Sequence, residues 1–227
     1  MLNRKNILEV QDISKPERKI PEKEILWPVQ QGYSFDNTIN NDSSCFPNLE
    51  AIVLRNSINE RAHPLNSFGK AISNAFERIW IIDPYFLNPD KGTQNDRIDI
   101  IINWLIHPEM LASDIKILTT NHGNDEKINN EIVEKFKDFE VLINNERLNS
   151  KKGDGCNIEI LFTLTKNFNY IHDRFAIIDN ELWHFGATVG GFHSSVNAAT
   201  RGWNASDHGA IEFFELVWNK CQLGSKT

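Results

Sequence analysis

The chain lacks most of the features that sort a protein quickly into a functional class. Cysteine is scarce: Cys45, Cys156 and Cys221 are odd in number and far apart, with no C-x-x-C pair or His–Cys cluster. That excludes a disulfide framework and a zinc site of sequence-local spacing. The thiols read as the reduced cysteines of a cytosolic protein. Positive charge is not in excess either, since 24 Lys and Arg stand against 31 Asp and Glu, for a net charge of -7. A chain that grips nucleic acid by bulk charge is thereby excluded, because its mean field repels phosphate, and any anion site must be local. Long apolar runs are absent as well. The greasiest stretch, 98–106, is interrupted by Asp99 and Asn103 and closed by His107-Pro108. It is too short and too polar to span a bilayer. The leading MLNRKNILEVQDISK has no apolar core of a secretory signal. No internal repeat is visible. The glycine-dense Gly186-x3-Gly190-Gly191 is not followed by Lys-Ser/Thr, so it is no P-loop.

What is present is material for a core. Hydrophobic residues make up 40% and charged residues 24%, enough for one large domain, or for a domain with an arm. Residues 1–48 differ from the rest. They are polar, carry prolines at 16, 21, 28 and 47, and offer Trp27, Tyr33 and Phe35 as large anchors. This is the pattern of an extended arm, either packed on the body through those aromatics or a leader with no role beyond packing.

From residue 49 to the end, apolar periodicity alternates between two and 3.6 residues. Strands are expected at 51–54, 80–82, 115–118 and 139–143. Between them lie helices at 68–79, opened by His63-Pro64, at 98–105, stopped by Pro108, and at 128–136. A polar loop at 144–155 follows. The rhythm then becomes strand-like at 158–162, 174–178 and 182–185, with Asp179-Asn180 as a tight turn. A short helix near 194–200 and a last strand at 210–214 complete the expectation. The order predicts an α/β fold, a mixed sheet sandwiched by helices.

One stretch carries chemistry: Ile171-His172-Asp173-Arg174-Phe175-Ala176-Ile177-Ile178-Asp179, followed by Gly186-Ala187-Thr188. On an extended strand His172 and Arg174 share a face. A guanidinium neutralises phosphoryl oxygens, often through two parallel bonds, and a neutral imidazole attacks phosphorus or shuttles a proton. Asp179 is placed to orient a ring or brace the hairpin, and Gly186 lets backbone approach closely. The competing reading is an ordinary His–Arg pair on a sheet edge. Asp83 and Tyr85, at the carboxyl end of a buried strand where ligands gather in α/β sheets, are further candidates. Against them stands a simple turn set by Pro84. His184 and His193 read as bystanders, and Trp80, Trp183 and Trp218 as core or seam residues. Arg147, Lys151, Lys152, Lys166 and Arg174 are the cations available for a local basic cleft.

The spacing His172-x-Arg174-x4-Asp179-x6-Gly186 resembles the HxK(x)4D(x)6G signature of the phospholipase D superfamily, with Arg in place of Lys. The resemblance spans about residues 49–220. It looks closest to a divergent HDR branch that includes the C-terminal domains of microtubule-interacting-and-trafficking proteins and many bacterial proteins. It implies a phospholipase D-like domain over 49–227, with no metal and no cofactor. His172 would be nucleophile or acid, Arg174 the phosphate clamp and Asp179 a support. Gly186 would sit beside the pocket, and Glu212, expected on the last strand, would hydrogen-bond His172. Thr188, Ser194 and Arg201 are candidate substrate contacts. Because the chain carries one motif where two meet in active relatives, the resemblance implies a homodimer with two His172 facing each other.

The departures are three. Arg174 keeps the charge but not the shape of Lys, while Ala187 and Val189 stand where the motif has Ser and Asn. The expected function is therefore a metal-independent, nuclease-type phosphodiesterase acting on a phosphodiester, nucleic acid rather than lipid. The alternative is a non-catalytic binding module for phospholipid headgroups, nucleic acid or a protein partner in a bacterial system. In either case the expected location is the cytoplasm.

Overall fold

The computed structural model describes residues 19–28, 42–57, 64–88, 94–121, 126–193 and 195–224. Ser194, Tyr33 and Phe35 fall outside them. The chain order is β1 (Glu24–Leu26), α1 (Leu49–Ser57), α2 (Asn66–Ser73), β2 (Arg78–Ile82), α3 (Gln94–Leu105), β3 (Asp114–Leu118) and α4 (Glu126–Ser150). It continues with β4 (Asn157–Leu161), α5 (Leu164–Asn167), β5 (Arg174–Ile178), β6 (Glu181–Phe185), β7 (Ala199–Asn204) and α6 (Ala210–Gly224). A single 3-10 turn spans Val189–Gly191, between β6 and β7.

The strands form one seven-stranded mixed sheet in the order β1-β7-β6-β5-β2-β3-β4. β2, β3 and β4 run parallel, and β5 joins β2 antiparallel, with Ile82 opposite Phe175. Each strand alternates its side chains between two cores. Ile79, Ile81, Ile115, Ile117, Ala176 and Ile178 meet α2, α3 and α4 on one face. Trp80, Ile82, Leu118, Phe175 and Ile177 meet α5 and α6 on the other. Burial on both faces explains the near-continuous apolar runs of β2, β3 and β5.

Five sequence expectations are corrected. Residues 51–54 belong to helix α1, where Asn48 accepts the Ala51 N–H at 2.8 Å and starts the first turn. Residues 139–143 are the middle of α4, because Ile132, Phe136, Ile143 and Arg147 are buried at helical spacing. The expected loop at 144–155 is helical as far as Ser150. The short helix at 194–200 gives way to the start of β7 at Ala199. Residues 210–214 open α6, whose Phe214, Val217, Trp218 and Cys221 make one buried stripe, and so Glu212 lies on a helix. In the last case a five-residue window held too little of a 3.6-residue period to betray it.

Part of the segment before residue 49 joins the sheet. β1 pairs antiparallel with β7, Ile25 opposite Thr200, and Trp27 is buried against Ala51 of α1.

Asp179 brackets the amino edge. It sits at φ 56°, a left-handed conformation that Asp tolerates better than most residues. Its carboxylate accepts the N–H of Phe76 at 2.9 Å, of Glu77 at 2.6 Å and of Arg78 at 3.3 Å. It thus caps the start of β2 from the hairpin β5–β6. Replacing it by Ala strands those donors and strains the turn. Asp179→Ala is expected to lower the unfolding free energy by about 2–3 kcal/mol, and Asp179→Asn by less, as read by chemical denaturation.

Candidate anion site at the carboxyl edge

The parallel strands β2, β3 and β4 end at one edge, and β5 begins there. Register places Arg174 beside Asp83, since Phe175 is opposite Ile82. Asp83 in turn continues the β2–β3 ladder, its N–H donating to the Leu118 carbonyl at 3.1 Å. Arg174 and Asp83 also share the face on which Ala176 and Ile81 lie, because both follow the two-residue alternation.

Asp83 is fully buried. Its Oδ1 accepts the Tyr85 N–H at 2.7 Å, and its Oδ2 accepts the Val189 N–H at 2.7 Å. The second bond reaches across to the loop between β6 and β7. That loop turns through Gly190 and Gly191 at φ 83° and 79°, conformations that an L side chain rarely adopts. The Arg174 Nε lies 3.7 Å from Asp83 Oδ1, and its guanidinium stacks 4.9 Å from the centre of the Tyr85 ring. Burial pushes the Asp83 carboxyl up to about 6, against the opposing pull of the two backbone N–H bonds, Arg174 and Arg97.

Arg174 therefore has two different ends. Its Nε is sealed beside Asp83 without a hydrogen bond. Its two Nη groups are not sealed in the same way, and none of the described residues bonds to them. The side chain keeps 22% of its surface. A guanidinium so placed has the chemistry to pair with a tetrahedral oxyanion.

His172 lies two residues before Arg174, just ahead of β5, and is exposed. Among the described residues it makes no hydrogen bond or ion pair. Glu212 is exposed on α6 and makes no contact with it. Thr188 is 3% exposed and precedes the 3-10 turn, next to the Val189 N–H that Asp83 accepts. Gly186 makes its close approach to backbone rather than to the pocket: a Cβ there would meet the Ala198 carbonyl at 3.3 Å.

Two expected site residues lie elsewhere. Asp179 ends β5 at the opposite edge of the sheet from Arg174. Arg201 is paired with Glu181 at 3.0 Å and Glu24 at 3.4 Å. Glu181 and the Arg174-paired Phe185 are four residues apart on β6, roughly 13 Å. A cavity of about 1010 Å³ opens at that far edge, lined by Asp179, Glu181 and Arg201 among others. Asp179 there is engaged with backbone and Arg201 with Glu181 and Glu24, while Lys19 and Lys70 on the same lining are exposed. Arg147 leaves the expected basic cleft too, since it is buried and donates to the carbonyls of Met110, Ala112 and Asp154.

Sequence reasoning missed Arg97. It is 5% exposed, and its guanidinium donates to the carbonyls of Tyr85, Asn88 and Phe192 at 2.8–3.1 Å. It clamps the loop after β2 to the loop before β7. The available signal was an arginine beside the apolar stripe Ile98, Ile101, Ile102. His184, opposite Phe175, also comes to this region, with Nε2 3.7 Å from Asp173.

The fold is that of an α/β protein with a mixed sheet, at whose carboxyl edge a partly exposed arginine stands beside a buried carboxylate. No family model and no curated protein matches the chain. Among solved structures it is similar to NucT from Helicobacter pylori, at 16% identity over 69% of this chain and 87% of that one, TM-score 0.40. TrmBL2, an archaeal chromatin protein, is 14% identical over 71% of this chain and 53% of its own, TM-score 0.36. Phosphatidylserine synthase of Haemophilus influenzae is 14% identical over 66% of this chain and 33% of its own, TM-score 0.38.

The raised Asp83 carboxyl has a consequence for stability. The folded state holds this proton more tightly than the unfolded chain, so Asp83 costs stability as pH rises from about 4 through about 6. The unfolding free energy of Asp83→Asn relative to wild type is expected to shift in the variant's favour by up to about 3 kcal/mol between pH 4 and pH 7. Denaturation midpoints across that range check it.

Proposed function

We propose that the chain is a phospholipase D-like phosphodiesterase of the nuclease type, working without metal as a homodimer. The observation that carries this reading is the open fork of Arg174, fixed by Asp83 and Tyr85, two residues from an exposed and unengaged imidazole. In the proposed reaction Arg174 binds the non-bridging oxygens of a phosphodiester. A ring nitrogen of His172 attacks phosphorus, the ester P–O bond breaks, and the partner subunit's His172 gives a proton to the leaving oxygen. Water then attacks the phosphohistidine, breaks the P–N bond and restores both imidazoles. Nucleic acid fits better than lipid as the source of the diester, and with a net charge of -7 the attraction is confined to this edge.

A second reading has its own support. Ala187 and Val189 are buried where the motif carries Ser and Asn, and no carboxylate among the described residues orients His172. That combination favours a binding module that keeps the anion clamp without turnover.

Hydrolysis of bis-p-nitrophenyl phosphate or single-stranded DNA in EDTA is expected for the wild type. It should fall at least a thousandfold in His172→Ala. Activity that survives this substitution removes His172 from the mechanism. Equal DNA binding by wild type and His172→Ala, with no hydrolysis by either, selects the binding module. The composite site also requires a dimer, so a monomeric mass in sedimentation at micromolar concentration counts against it.

A further inference from the structure

The charge balance behind the Arg174 fork bears on which anion the site accepts. Three charged groups meet there. Asp83 is faced by Arg174 from β5 and by Arg97 from α3, with Tyr85 on its own loop. The loop between β6 and β7 contributes the Val189 N–H and the Phe192 carbonyl, and its titratable side chain is His193. Arg97 is fully occupied by carbonyls and turned away from solvent, so it adds charge without a free donor. With Asp83 ionised, two guanidinium groups and one carboxylate leave a single positive charge. With Asp83 neutral, the same site holds two.

We propose that Asp83 is a specificity-determining positioning residue, whose carboxylate keeps the site singly positive and so favours the singly charged phosphodiester over a doubly charged phosphate monoester. The inference rests on the anion site proposed above and adds the charge class of its ligand. Asp83 touches no ligand itself. It acts through Arg174, whose Nε lies 3.7 Å from it while the side chain keeps 22% of its surface. Coulomb energy scales with the charge of the ligand. A negative charge removed about 6 Å from a monoanion tightens it about threefold even in a water-like dielectric, and tightens a dianion by the square, about tenfold. The contrast between the two ligands is therefore the signature, rather than either affinity alone. The burial that raises the Asp83 carboxyl to about 6 brings its titration within the range where the folded protein can be assayed.

The test uses two probes of constant charge, dimethyl phosphate and sulfate, and calorimetric titration of the full chain. His172→Gln, His184→Gln and His193→Gln are introduced together to remove the imidazoles of this edge and of the loop after β6. Lowering the pH from 7.5 to 5 is expected to tighten dimethyl phosphate about threefold and sulfate about tenfold, the sulfate gain following a midpoint near 6. Asp83→Asn in the same background should reproduce both gains at pH 7.5 and show little further response to acid. If that variant does not fold, the midpoint and the contrast between probes in the Asp83 chain decide the matter. Equal tightening of the two probes, or an acid response as large in Asp83→Asn, overturns the role of Asp83 and leaves the anion site standing. Failure of both probes to bind at either pH overturns the anion site, and this inference with it.

Discussion

One fully buried carboxylate organises the functional edge of this protein. Asp83 stands where β2 leaves the sheet, and its two oxygens accept N–H groups from two separate segments, Tyr85 and Val189. A third segment, β5, presents Arg174 beside it. A carboxylate taken from water carries a large desolvation penalty unless such partners surround it. The penalty here is only partly offset, as the raised proton affinity records. The arrangement is thus a local concession of stability that fixes a guanidinium in one orientation.

The sheet separates structural from chemical work by its two edges. At the amino edge Asp179 closes the hairpin onto β2, and Arg201 is held between Glu24 and Glu181. These contacts join β1, β2, β6 and β7 at that end of the sheet. At the carboxyl edge Arg97 ties two loops together from below, while the Arg174 fork and His172 remain open above. In the proposed function an anion at that edge would meet donors whose entropy has already been lost on folding.

Several parts of this were legible from the residues. The buried strands β2, β3, β5 and β6 announced themselves because each is a short apolar run bounded by polar residues. The mixed sheet followed from their alternation with α2 and α3. The misread segments share a cause. In 51–54, 139–143 and 210–214 a few apolar residues in a row fit a strand as well as one face of a helix. Burial at Ile132, Phe136 and Ile143, and at Phe214, Val217 and Trp218, selects the helix. Glu212 followed its element: once 210–214 is helical, its carboxylate lies on the exposed face of α6.

Local pattern sufficed for the strand that begins at Arg174 and for a hairpin at Asp179-Asn180, since both depend on residues within a dozen positions. It was silent on the association of Asp83 with Arg174, 91 positions away, and on the bonds from Asp83 to Val189 and from Arg97 to Phe192. Those contacts exist because β5 inserts antiparallel beside β2, a choice made by the competition of all seven strands for neighbours. Charge and spacing along the chain singled out Arg174 as a candidate. Only the packed sheet supplied its counter-ion, because hydrogen-bond ladders, unlike helical turns, join residues that the sequence keeps far apart.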